Sequence, residues 1–156
     1  MSQQSWKPEQ TALLTPYIMV RDADASLAFY QQAFGFEGAV MMRDPDGKGV
    51  HAEVRRDGDL IAMFATEGSF GSPQQSPVTS GQMSPIGLYV YCEDVDALAE
   101  RAVDAGAERV GDIETQFWGD RTACLRDPNG YNWTFATQVA EFDPSKIPPG
   151  FSSSFE

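Results

Sequence analysis

LLTPYIMVRDADASLAFYQQAFG, residues 13–35, and IGLYVYCEDVDALAERAVDAG, residues 86–106, are two versions of one pattern. Each opens on an apolar run that reads as a strand, Leu13–Val20 and Ile86–Cys92. Each continues into a matched acidic stretch, Asp22-Ala23-Asp24-Ala25 and Asp94-Val95-Asp96-Ala97. An aspartate there accepts backbone N–H bonds at a helix start; Asp22 or Asp24 suits the first helix and Asp94 the second. The first helix places Leu27, Tyr30 and Phe34 on one face, and the second places Val95, Leu98, Ala102 and Ala105 on one face. Gly35 and Gly106 follow as stops.

Three strands follow each helix. They fall at residues 36–43, 50–56 and 60–66 in the first half, and at 109–117, 121–126 and 131–137 in the second. Asp44-Pro45-Asp46-Gly47, Asp57-Gly58 and Asp127-Pro128-Asn129-Gly130 are turn sequences between them. Phe64-Ala65 and Phe135-Ala136 occupy matching places in the two final strands. An internal repeat of this kind predicts an α+β fold of two pseudo-symmetric βαβββ modules, eight strands in all. The module boundaries are 12–66 and 84–138, joined by a Gly/Ser/Pro/Gln-rich linker over 67–83. Residues 1–11 read as a flexible arm. Residues 139–156 read as a tail with Phe142, Ile147 and Phe151 as anchors if it packs at all.

Composition narrows the partners. The chain has 156 residues, 23 acidic against 11 basic, for a net charge of −12. A surface this negative repels phosphate backbones and anionic lipid, so neither nucleic acid nor membrane is expected as a partner. No apolar run approaches the roughly 18 residues of a membrane helix. MSQQSWKPEQ at the start has no apolar signal core, and Cys92 and Cys124 lack C-x-x-C spacing, so the protein is read as cytoplasmic with reduced thiols. The acidity is explained by solubility, or by a site that favours a cation.

Strand alternation sorts the side chains. Leu14, Ile18, Val20, Val50, Ala52, Val54, Ala62, Phe64, Leu88, Val90, Trp133 and Phe135 face the helices. Thr15, Tyr17, Met19, His51, Glu53, Arg55, Ile61, Met63, Ala65, Gly87, Tyr89, Tyr91, Asn132, Thr134 and Ala136 face the other way. The second set is an aromatic and polar surface suited to a small ligand. Tyr17, Met19, His51, Glu53, Met63, Tyr89, Tyr91, Trp118 and Asn132 are its ligand-binding candidates. Trp118, in Trp118-Gly119-Asp120-Arg121, is a wall for stacking or a loop-packing residue with Asp120 and Arg121 as an ion pair. Glu53 is the one acid this alternation assigns to the surface.

TPYIMVRDADASLAFYQQAFGF, VYCEDVDALAERAVDAGAERV and WGDRTACLRDPNGYNWTFAT resemble the glyoxalase, bleomycin-resistance and extradiol dioxygenase group, the vicinal oxygen chelate superfamily. With the intervening strands the resemblance covers residues 12–138. It implies two βαβββ modules curved around a cavity. Enzymes of the group hold a divalent metal there with His, Gln and Glu, one ligand on the first and last strand of each module. Anchored on the motifs, those positions are Thr15, Met63, Gly87 and Thr134, none a usual ligand. No metal and no other cofactor is therefore expected at the family positions.

Three functions compete. The first is a metal-free binding protein, similar to the bleomycin-resistance branch and dimeric, that sequesters a small hydrophobic or cationic aromatic molecule. The second is a lyase or isomerase of a small oxygenated metabolite, with His51 as base or ligand and Glu53 beside it. Cys124 would be a third donor for a substitute metal; as a nucleophile beside His51 it lacks an evident orienting group. The third is a regulatory or scaffold module with no ligand. The binding protein is the reading preferred here.

Overall fold

The computed structural model describes residues 5–154. The chain divides between Met83 and Ser84 into two compact units. In the first, β1 (Tyr17–Val20), α1 (Ala23–Phe34), β2 (Glu37–Arg43), β3 (Gly49–Arg56) and β4 (Asp59–Thr66) form a sheet of order β1-β4-β3-β2 with α1 packed on it. A short helix, α2 (Pro77–Ser80), follows. In the second unit, β5 (Leu88–Tyr91), α3 (Val95–Asp104), β6 (Glu108–Thr115), β7 (Asp120–Arg126) and β8 (Asn132–Gln138) repeat the arrangement as β5-β8-β7-β6. In each sheet the first strand runs parallel to the last and the other pairs are antiparallel. These two mixed four-stranded sheets, each with its helix, are the α+β fold expected from the repeat.

The repeat extends to the joints. Asp22 accepts from the Ala25 N–H at 2.8 Å and Asp94 from the Ala97 N–H at 3.0 Å. So Asp22 is the cap of α1; Asp24 instead accepts from the Gly49 N–H at 2.8 Å and pairs with Arg43 at 2.9 Å. A threonine near the end of each final strand ties down the helix start. Thr66 accepts from the Ala23 N–H and donates to the Gly49 carbonyl; Thr137 accepts from the Val95 N–H and donates to the Cys92 carbonyl. Each hydroxyl satisfies a helix N–H that has no intrahelical partner.

Tyr30, Phe34, Val54 and Phe64 fill the space between α1 and its sheet, and Val95, Ala102, Leu125, Trp133 and Phe135 that between α3 and its sheet. Leu27, assigned to the same helix face, is half-buried, while Ala23, Ser26 and Ala33 complete the buried stripe. Asp127 has a structural role its turn sequence did not reveal. One carboxylate oxygen accepts from the Asn129 and Tyr131 N–H groups and the other from Trp133 Nε1 at 2.9 Å, which satisfies the one polar atom of a buried indole.

Several expectations are corrected. The first strand begins at Tyr17, not Leu13, and Leu14 is 84% exposed rather than packed inward. Pro16 has no N–H to donate, and the β1–β4 ladder starts where its carbonyl accepts from Met63. The fifth strand begins at Leu88, not Ile86, because the Ser84 hydroxyl takes both the N–H and the carbonyl of Ile86. Ala65 and Ala136 are fully buried although alternation put them on the ligand-facing side. Each sits in an inner strand between longer neighbours, Met19 and His51 for Ala65, Tyr91 and Thr122 for Ala136. The 67–83 segment is not wholly irregular. Ser76 is buried and caps α2, and the Glu67 carboxylate accepts from the Ser76 N–H at 2.8 Å and the Thr79 hydroxyl at 2.9 Å.

At the ends, residues 1–4 of the expected arm and residues 155–156 of the tail lie outside the described residues. Gln10 lies on the β3–β4 hairpin, its carbonyl accepting from the Leu60 N–H at 3.0 Å. Phe142 packs edge-on against Phe117 at 6.1 Å, while Phe151 is exposed.

Candidate functional site

Tyr89 and Tyr91 project from the same face of β5, two residues apart, with ring centroids 5.6 Å apart in an edge-to-face pair. Their hydroxyls converge on Asp120, at the start of β7: Tyr89 donates at 2.7 Å and Tyr91 at 2.9 Å, both to Oδ2. Trp118 Nε1 donates to the same oxygen at 3.2 Å. Asp120 is 3% exposed, whereas Tyr89, Tyr91 and Trp118 are 46%, 59% and 41% exposed. The polar tips are thus tied inward and the ring surfaces left open. Burial, and then the hydrogen bond to Asp120, push the Tyr89 phenol up to about 12. The Asp120 bond also raises Tyr91. Both stay neutral donors at ordinary pH and neither is set up as a base.

The ion pair expected between Asp120 and Arg121 does not form. Successive strand residues point to opposite faces. Arg121 turns toward α3 and binds both oxygens of Asp96 at 2.7 and 2.8 Å, which leaves Asp120 to the tyrosines. Sequence reading missed Asp120. The available signal was its even spacing from Cys124, which puts it on the face shared with Tyr89 and Tyr91.

The first unit carries the other candidates. Tyr17 stacks on His51 at 5.6 Å, with its hydroxyl 3.3 Å from Nδ1. Glu53 is engaged by Arg55 at 3.2 Å, so the acid assigned to attract a cation already has one. Met63 is half-buried opposite Tyr17 and Glu53 in the ladder. Met19, named with the ligand-facing set, is 6% exposed and lies in the core. Asn132 accepts from Arg126 Nε at 3.1 Å and faces the side of the sheet that carries Thr134. Cys92 and Cys124 form no disulfide.

The family's metal does not fit the residues at its positions. Thr15 and Gly87 precede β1 and β5; Met63 and Thr134 lie opposite Tyr17 and Tyr89 in the two parallel ladders. Two hydroxyls, a thioether and a bare backbone make a poor shell for a divalent ion, which selects carboxylate and imidazole. The substitute set of His51, Glu53 and Cys124 fares no better, since among the described residues no group of three or more His, Cys, Asp or Glu side chains is placed to hold a metal. Trp118 also borders a cleft of about 560 Å³, formed with Phe117, Phe142, Ile147, Pro148 and the 151–154 segment of the tail. No described helix is long and apolar enough to cross a membrane.

A family model described as Glyoxalase/Bleomycin resistance protein/Dioxygenase superfamily matches residues 10–135. An uncharacterized protein of Mycobacterium bovis is 33% identical over 141 residues, covering 90% of this chain and 92% of the relative. An uncharacterized protein of Mycobacterium tuberculosis is also 33% identical, with 82% of its length covered. Among solved structures, TioX from Micromonospora sp. ML1 superposes with a TM-score of 0.63 at 24% identity, over 82% of this chain and 99% of that one. The fosfomycin resistance protein FosX from Listeria monocytogenes, complexed with Mn(II) and sulfate, gives 0.60 at 15% identity, over 82% and 90%.

Proposed function

We propose, for a chain that belongs to the glyoxalase/bleomycin resistance protein/dioxygenase superfamily, that it is a binding protein for a small hydrophobic or cationic aromatic molecule and holds no resident metal. One observation carries the reading. Where enzymes of the group present metal ligands, this chain has Thr15, Met63, Gly87 and Thr134, and its second unit carries an open aromatic surface fixed by a buried acid. Tyr89, Tyr91 and Trp118 offer large contact area at little entropic cost, because their hydrogen bonds to Asp120 already restrict their rotamers. Tyr17 stacked on His51 adds a second aromatic surface in the other unit. The same reading has the protein act as a homodimer in the cytoplasm, which sedimentation of the purified protein and cell fractionation check.

The test is calorimetric. Bleomycin and a series of planar bicyclic and tricyclic aromatics are titrated into the protein, with Trp118→Ala beside the wild type. Micromolar binding that weakens about tenfold in the variant is expected for the loss of one stacking anchor. Absence of binding at millimolar concentrations of every compound would overturn the reading. Metal analysis separates it from the lyase or isomerase alternative: a stoichiometric divalent ion lost in His51→Ala would transfer the assignment to that enzyme.

A further inference from the structure

We infer that Asp120 makes the Tyr89–Tyr91–Trp118 surface selective for organic cations of diffuse charge, N-alkylated aromatics and quaternary ammonium groups, over neutral molecules of the same shape. The inference deepens the binding reading and rests on it: that reading leaves hydrophobic and cationic ligands open, and Asp120 decides between them.

The decisive contrast is among the acids. Asp24 is paired with Arg43, Glu53 with Arg55, Asp96 with Arg121 and Glu108 with Arg126. Each of these charges is cancelled by a guanidinium within the fold. Asp120 is buried, and its side-chain partners are two phenols and an indole, all neutral donors. Among the described residues no cation pairs with its negative charge.

That charge is delivered to the ligand through the rings. A cation over the face of Tyr or Trp is attracted by the ring quadrupole. A phenol or indole that donates to an anion becomes richer in π-electron density, so hydrogen bonding to Asp120 strengthens the attraction of all three rings. The same hydrogen bonds explain the preference for diffuse charge. Three donors already crowd Asp120 Oδ2, so a primary ammonium, which needs acceptors for its N–H groups, meets mostly ring faces and replaces its hydration incompletely. A quaternary or N-alkylated aromatic cation has no N–H to satisfy and loses little. The net charge of −12 adds a long-range bias toward any cation.

Asp120 is accordingly a positioning and selectivity residue. The experiment compares 1-methylquinolinium with 1-methylnaphthalene, which share a shape and differ in charge, and with the primary ammonium 1-naphthylmethylammonium. Each is titrated calorimetrically into wild type, Asp120→Asn and Glu53→Gln. Wild type is expected to bind methylquinolinium about tenfold more tightly than either of the others. The ratio should collapse toward one in Asp120→Asn, which keeps the shape and loses the charge, and hold in Glu53→Gln, whose charge Arg55 already cancels. Should Asp120→Asn fail to fold, Tyr91→Phe, which keeps the ring and removes its bond to Asp120, should lower the ratio, and an unchanged ratio there would overturn the inference. Equal binding of cation and neutral isostere by wild type would overturn the inference and leave the binding reading intact. So would a preference that survives in folded Asp120→Asn. Binding of none of the three would overturn both.

Discussion

Tyr89 keeps its proton far into alkaline solution. Burial, followed by donation to Asp120, lifts its phenol from 10.0 to about 12. A group whose pKa is raised on folding contributes stability that is full below its unfolded value and lost as pH rises through the folded one. The contribution of Tyr89 is thus complete below about pH 10 and disappears between there and about pH 12. Ultraviolet titration of the five tyrosines reads this directly. Tyr89→Phe should remove the most alkaline step, and Asp120→Asn should bring the remaining late phenols to lower pH. A Tyr89→Phe curve that overlays wild type at its alkaline end would refute the assignment. At this scale the site was half legible. Alternation put Tyr89, Tyr91 and Asn132 on one face, whereas the sequence left Trp118 open between a stacking wall and loop packing. Glu53 was chosen as the charged member because it shares that face with His51, but Arg55 lies two residues away on the same face and captures it.

Two glycines show how closely the elements approach one another. A Cβ on Gly38 of β2 would stand 2.5 Å from the Glu53 carbonyl oxygen and 2.7 Å from Leu27 Cδ1, so the strand fits between its neighbour and α1 only without a side chain. Gly38→Ala should cost about 1–3 kcal/mol in urea unfolding, the usual range for overpacking. Gly119, with φ near 101°, receives the tail: its carbonyl accepts from the Val139 and Ala140 N–H groups, and a Cβ there would lie 2.1 Å from the Ala140 carbonyl oxygen. Gly119→Ala should lift residues 139–154 from the β6–β7 turn, seen as faster limited proteolysis in that segment; an unchanged digestion pattern would mean the tail is held elsewhere. Element types and order were readable from hydropathy alone, since each period is local. Strand starts were not. Pro16 and Ser84 shorten β1 and β5 by interrupting the ladder, and that depends on which partner strand is adjacent.

Over the whole molecule, acid is the destabilising direction. Asp24 is held below the usual carboxylate range first by the Gly49 N–H and then by Arg43. Asp96 is lowered by Arg121, and Asp143 by Ser145 and Lys146. For Glu67 burial pushes upward, and the hydrogen bonds from Ser76 and Thr79 outweigh it. Depressed carboxylates stabilise the fold above their unfolded values, 3.8 for Asp and 4.5 for Glu, and lose that contribution as pH falls through their folded ones. The thermal midpoint should therefore be flat near neutrality and fall below about pH 4. A midpoint that rises on acidification would contradict the pairing described. Asp24→Asn and Asp96→Asn should shift part of that transition, since each removes one of the groups responsible.

The sequence by itself determined the repeat, and with it the fold. Two helices with matched caps and two sets of four strands are encoded by local hydropathy and turn chemistry, which each half states independently. It also fixes which residues, Thr15, Met63, Gly87 and Thr134, stand at the positions the family resemblance aligns with metal ligands. Tertiary structure alone decided where the charges go. Whether an acid is cancelled depends on which cation another element brings within reach: Arg43 to Asp24, Arg121 to Asp96, and to Asp120, among the described residues, two tyrosines and a tryptophan in place of a cation. Those partners lie 19 to 31 residues away or across a tight turn, a separation that no local pattern records.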